Sequence, residues 1–232
     1  MRPVVLDTSV VLPAVLSPRG YRRRFLVLLA LGALAARRDL ARLEADALSL
    51  EAQTPGSASG GREIDTLAQD ADARYRRLSK LMPPGCPEHW RLVSSPPLLA
   101  EYERKLREAG PRLHPSLSAQ GIELARRQIE IVCAEVIEDF DPALIPYYTA
   151  DRKDDAIVHT ALLADTTWLI ADDRKHISID PDGATEYVLP GSDRRVAAVT
   201  FSRFLDHHLT DVDLDNIDPT LLADAFAEPP GS

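Results

Sequence analysis

The sequence predicts an α/β fold built on a mostly parallel sheet. Three observations predict it: short segments that are apolar on both faces, such as Pro3–Leu6 and Thr167–Ala171; amphipathic stretches of helical period between them; and acids standing where the apolar segments end. Strands buried on both faces read as continuous hydrophobic runs, and their alternation with helices is the pattern of parallel sheets. With 45% apolar and 27% charged residues, the 232-residue chain can bury a sizeable core, which excludes a disordered or fibrous protein. Its two cysteines, Cys86 and Cys133, have no paired spacing, so no disulfide framework or zinc–thiolate site is indicated. The chain reads as cytoplasmic. A formal charge of −9 removes the general attraction that nonspecific nucleic-acid binders use, so a polyanionic substrate requires local basic patches or bound cations.

The elements are justified in chain order. Pro3–Leu6, prolonged to Val11 by β-branched residues, reads as a first buried strand ending near an acid. Ser17-Pro18-Arg19-Gly20 is a turn, and a Leu- and Ala-rich helix is expected from Tyr21 to Ala36. Its apolar run is too short for a bilayer, where about 20 residues are needed, and begins too far from Met1 for a secretory leader, so no membrane contact is expected. Leu40, Leu43, Ala47 and Leu50 continue at helical spacing to a flexible tip at Thr54–Gly61, and Ile64, Leu67, Ala71, Tyr75, Leu78 and Met82 form a second stripe. Together these predict a helical hairpin. Arg91–Ser94 is a second strand. Ser95-Pro96 opens a helix to about Ala109 by capping and by a proline in its first turn. Ser118 caps a long helix carrying Ile122, Ile129, Val132, Val136 and Phe140, and Asp151 opens another, with Asp154 three residues on. Thr167–Ala171 and Val196–Thr200 are the last strands, and Phe201–Leu209 the last helix. Trp90 and Trp168 adjoin strands, so they are expected in the core.

In such sheets ligands gather beyond the carboxyl ends of the strands. That rule selects Asp7 and Asp173 at strand ends, Asp155 in a helix's first turn and Glu101 in the helix after the second strand. Converging carboxylates repel one another, and a divalent cation relieves the repulsion; hard oxygen ligands suit Mg²⁺ or Mn²⁺. The stretches Val4-Val5-Leu6-Asp7-Thr8-Ser9-Val10, Ser94-Ser95-Pro96-Pro97-Leu98-Leu99-Ala100-Glu101, Asp154-Asp155-Ala156-Ile157-Val158-His159-Thr160-Ala161 and Leu169-Ile170-Ala171-Asp172-Asp173-Arg174 occur in this order. In that order and context the chain resembles the PIN-domain family, particularly its bacterial toxin-like endoribonuclease branch. The resemblance covers most of residues 1–36 and 91–208, with 37–87 as an insertion and 209–232 as an acidic extension.

The resemblance implies a three-layer α/β/α sandwich and Mg²⁺- or Mn²⁺-dependent hydrolysis of RNA. It implies Asp7, Glu101, Asp155 and Asp173 as catalytic and metal-holding acids, with Ser9 orienting the first carboxylate. Glu103 competes with Glu101, Asp154 with Asp155, and Asp172 with Asp173, because Ala171 stands where the family's motif has Thr. Arg19, Arg22, Arg23, Arg152, Lys153, Arg174 and Lys175 are the candidate RNA contacts. An antitoxin protein and a second copy of the chain are the candidate protein partners. A catalytically silent PIN-like scaffold is the alternative from a different class. Other motifs are set aside. Ser9 stands where an aspartate-nucleophile phosphatase needs its second acid, and Asn216 and Leu222 stand where a calcium loop opening at Asp211 needs glycine and glutamate.

Overall fold

The computed structural model describes residues 2–17, 19–52, 61–87, 89–113, 117–138, 140–173, 177, 179, 180 and 183–224. Arg174 and Lys175, and the expected hairpin tip up to residue 60, lie outside the described residues. Among the described residues the chain forms six strands and eight α-helices: β1 (Arg2–Leu6), α1 (Thr8–Leu16), α2 (Tyr21–Ala52), α3 (Gly61–Leu81), β2 (Trp90–Ser94), α4 (Pro96–Leu113), α5 (Ala119–Val132), β3 (Cys133–Val136), α6 (Asp155–Leu163), β4 (Trp168–Ile170), β5 (Thr185–Val188), β6 (Arg195–Val199), α7 (Phe201–His208) and α8 (Leu221–Asp224). The sheet order is β3-β2-β1-β4-β6-β5, parallel throughout except for β5, and the helices cover it in an arrangement compatible with three α/β/α layers. From β1 the chain builds outward through β2 and β3, then returns to the other side of β1 with β4. The topological switch therefore lies between β1 and β4.

Several boundaries differ from expectation. β1 stops at Leu6 rather than Val11, because Asp7 has extended backbone and its carboxylate accepts a hydrogen bond from the Ser9 amide, capping α1. The cap and the burial of Val10, Val11, Ala14 and Val15 outweigh the weak helix propensity of the valines. The expected helix from Ser118 to Phe140 ends at Val132, and β3 begins at the next residue. Cys133 turns to extended backbone, Cys133, Glu135 and Val136 pair with Leu92, Val93 and Ser94, and the Ile137 amide bonds the Ser94 carbonyl at 2.9 Å. Helix α6 opens at Asp155 rather than Asp151, whose carbonyl instead closes a turn with the Asp154 amide at 2.9 Å. The unanticipated β5 is a hairpin partner of β6; its connection passes through Gly191, whose φ of 76° suits glycine.

Helix α2 runs through residues 36 and 37 without a break, so the helical hairpin shares its first helix with the core. Phe25, Val27, Leu28, Leu29 and Ala30 are fully buried in it. Farther along, Arg38 stacks over Tyr75 of α3 at 4.0 Å, and Arg42 pairs with Asp72 at 3.0 Å. Phe204 of α7 is the hub of an aromatic cluster with Phe25, Trp90 and Trp168, at centroid distances of 5.5, 5.2 and 6.4 Å. Trp90 is thus a core residue, as expected, and Trp168 is partly buried, packed against the core. The described part of the C-terminal extension is packed, not solvated: Leu214, Ile217, Leu221 and Leu222 are buried, and Asp215 pairs with Arg24 at 2.6 Å. Arg23 is buried against the same segment, donating to the Pro219 carbonyl and to Gln128 Oε1 at 3.3 and 2.6 Å; burial pulls its pKa down to about 10.

Candidate functional site

Parallel pairing of β1 with β4 sets Leu6 beside Ile170, and the Asp7 amide bonds the Ile170 carbonyl at 2.8 Å. Asp7 therefore leaves β1 at the switch point. Its carboxylate, 9% exposed, accepts the Ser9 amide at 2.7 Å. The Ser9 hydroxyl does a different task from the one expected of it, accepting the backbone amides of Asp172 and Asp173 at 2.9 and 3.3 Å. Ser9 thus orients the Asp7 carboxylate through its main chain and fixes the loop after β4 through its side chain.

Glu101 approaches from α4. Fully buried Tyr102 anchors that helix by donating its hydroxyl to the Leu6 carbonyl, directly before Asp7. The Glu101 carboxyl is half-buried and its pKa is raised, first by burial and then by the Asp7 charge, with Asp151 adding to the effect and Lys105 and Arg104 opposing it. Glu103 instead pairs with Arg107 at 2.5 Å along its own helix, so Glu101 is the acid that shares electrostatics with Asp7. Strand-end position does not select Asp151 as a site acid. Its only signal is its place one turn before Asp155; its own Oδ1 accepts the Lys153 amide at 3.0 Å.

The other acids are engaged elsewhere. Asp155 is fully buried, and its Oδ1 accepts from the Tyr148 amide (2.9 Å), the Thr149 amide (2.7 Å) and the Thr149 hydroxyl (2.9 Å), while Oδ2 accepts from Arg152 at 3.2 Å. Its carboxylate latches the 146–152 loop to the start of α6. Asp172 accepts from Arg22 Nε at 3.0 Å and from the Phe201 amide at 3.1 Å. Asp173 is half-buried, with its amide held by Ser9. Among the described residues no group of three or more His, Cys, Asp or Glu side chains stands ready to hold an ion. The expected acids therefore stand in three settings: Asp7 and Glu101 at the switch point, the Asp155 and Asp172 carboxylates held by protein partners, and Asp173 on the loop that Ser9 fixes.

Of the expected RNA contacts, Arg22 is committed to Asp172 and lies over the Phe201 ring at 5.4 Å, and Arg23 is buried. Arg152 reaches inward to Asp155 and covers the Tyr147 ring, while Arg19 and Lys153 are exposed. No helix among the described residues is long and apolar enough to cross a membrane.

The donor chemistry at Asp7 and Glu101 fits a hard cation. Two like-charged carboxylates approaching one another gain from a positive charge between them, and Mg²⁺ commonly takes one or two carboxylates with water completing its shell. Asp155, with both oxygens already satisfied, does not fit as a ligand in this arrangement. Comparison with protein-family models, characterised proteins and solved structures returned no match to the chain.

Proposed function

We propose that this chain is a divalent-metal-dependent endoribonuclease of the PIN type, with Asp7 and Glu101 as the acids that hold Mg²⁺ or Mn²⁺ and Asp173 adjoining them on the loop after β4. The observation that carries the reading is the placement of Asp7 at the switch between β1 and β4, where α/β folds place their ligands, with Glu101 on the helix that Tyr102 anchors to the Leu6 carbonyl directly before it. Bound there, the cation supplies charge neutralisation at the phosphate and a water of lowered pKa. The chain's own residues supply orientation and proton handling. Asp7 is preorganised by the Ser9 amide, and Ser9 fixes the loop that carries Asp173. Glu101, half-buried on α4, is the group suited to take a proton from the attacking water at a carboxylate oxygen the cation leaves free. Arg104, 3.9 Å from Glu101 and paired with Glu108 at 2.8 Å, and Lys105 next to it would supply positive charge toward the phosphate. The toxin half of a toxin–antitoxin pair is the biological form this activity takes in the branch the sequence resembles.

A second reading, a PIN-like scaffold without activity, is favoured by the engagement of Asp155 and Asp172 with protein partners. For it, exposed Leu40 and Leu43 on α2 are the apolar face that an antitoxin or a second copy of the chain would cover. Incubation of the protein with a mixed, labelled RNA pool separates the two. Cleavage is expected with Mn²⁺ and is lost in EDTA and in Asp7→Asn, which keeps an oxygen for the helix cap. Wild-type turnover by Asp7→Asn under matched metal overturns the assignment, and an inactive wild type favours the scaffold.

A further inference from the structure

The loop leading into α6, a helix that packs on β1 and α4 from which Asp7 and Glu101 project, presents an aromatic ring to solvent. Tyr147 is 83% exposed, although its neighbour Tyr148 packs inward on His159 and Tyr187. A lone exposed aromatic is ordinary. This one differs because its surroundings are fixed. The Arg152 guanidinium lies 4.0 Å from the Tyr147 ring centroid and is itself tied to the Pro146 carbonyl at 3.1 Å and to Asp155 Oδ2 at 3.2 Å. The same buried Asp155 carboxylate holds the amides of Tyr148 and Thr149. One face of the ring is covered by a cation and the other is left to solvent. The loop also carries Lys153, which is exposed.

We infer that Tyr147, backed by Arg152, is a stacking platform for an unpaired base of the RNA strand entering the acidic site. This rests on the ribonuclease reading for its substrate but adds a binding residue that the acids do not require. Every base offers a π-face, so aromatic stacking is tolerant of sequence, and a ring already fixed in orientation loses little entropy on binding. A cation behind the ring and an exposed lysine beside it suit the adjoining phosphates.

The test is equilibrium binding of a short fluorescein-labelled oligoadenylate, read by anisotropy in EDTA so that no metal-dependent cleavage intervenes. Tyr147→Ala is expected to weaken binding roughly five- to hundredfold, the range of one lost base stack, while Tyr147→Phe binds like the wild type. An abasic ribose-phosphate oligomer of equal length is expected to bind the wild type and Tyr147→Ala alike. Equal affinity of the wild type and Tyr147→Ala for oligoadenylate overturns the proposal, as does a wild type that does not prefer oligoadenylate to the abasic oligomer. Binding needs neither metal nor turnover, so the two readings fail separately. A protein that stacks RNA at Tyr147 yet never cleaves it loses the nuclease and keeps the platform; one that cleaves with Mn²⁺ and ignores Tyr147→Ala loses the platform alone.

Discussion

Asp155 is the sharpest place to separate a structural carboxylate from a metal-holding one. Its side chain is fully buried and receives two backbone amides, one hydroxyl and one guanidinium. Asp155→Ala strands the amides of Tyr148 and Thr149, while the Thr149 hydroxyl keeps the Asp151 carbonyl at 2.6 Å and Arg152 keeps the Pro146 carbonyl at 3.1 Å. Each donor left unsatisfied costs about 1–3 kcal/mol where water cannot reach it, and Tyr148 and Thr149 are only half-buried, so partial rehydration holds the total to about 2–4 kcal/mol. Asp155→Asn is much milder. It keeps the oxygen that accepts three of the bonds and loses the charged contact to Arg152, whose side chain is 45% exposed, together with a favourable charge at the start of α6. That loss is about 1–2 kcal/mol. Urea unfolding read by circular dichroism gives both values, provided the slope against denaturant is unchanged. Wild-type stability of Asp155→Ala, or equal destabilisation by the two variants, refutes the latch. If Asp155→Asn also abolishes stabilisation by Mn²⁺, the loop releases its carboxylate to the metal and the division of the acids into a pair and two latched carboxylates is wrong.

Glu101→Gln tests the acidic pair without metal. The folded-state pKa of Glu101 lies above the ordinary 4.5, so its ionisation opposes folding; the penalty is fully present above the folded value and disappears as pH falls through it. In EDTA the variant should melt higher than the wild type at pH 7 and lose that advantage towards pH 4; a lower midpoint at pH 7 contradicts the pairing. Arg23→Met removes the donor to Gln128 and to the Pro219 carbonyl, and should cost about 2–4 kcal/mol and speed thermolysin cleavage within residues 209–224. Unaltered proteolysis would show that the C-terminal segment is held without it. The Ser94 hydroxyl is fully buried without a hydrogen-bond partner among the described residues, so Ser94→Ala should be neutral or stabilise by up to about 1 kcal/mol; a loss above about 1 kcal/mol by the same melts would show that the hydroxyl is satisfied in solution.

What could be read from the sequence is what short-range chemistry decides. The apolar runs at residues 3–6, 91–94 and 196–199 form parallel strands, and Ser118 caps its helix through its own side chain. Strand β3 is hidden because Val132 and Val136 continue the helical stripe of α5. Only the pairing of Cys133–Val136 with β2 at the sheet edge decides against it. Likewise, Val10 and Val11 favour a strand locally, but the Asp7 cap and the packing of α1 win. Asp7 and Glu101 are legible from their positions after strands. The direction of the Asp155 carboxylate is not, since its partners come from a loop whose conformation no spacing specifies. Arg22 reads as an RNA contact because its partner Asp172 lies 150 residues away in the chain.

The measurement closest to the central claim is the thermal midpoint of the wild type, Asp7→Asn, Glu101→Gln and Asp155→Asn with and without Mn²⁺. A cation bound only to the folded state at about a hundred times its Kd adds roughly 2.7 kcal/mol, which is about 5–10 °C for a chain of this size. The pairing of Asp7 with Glu101 predicts that rise in the wild type and in Asp155→Asn, and none in Asp7→Asn or Glu101→Gln. A wild type indifferent to Mn²⁺, or an Asp7→Asn that gains as much as the wild type, contradicts it.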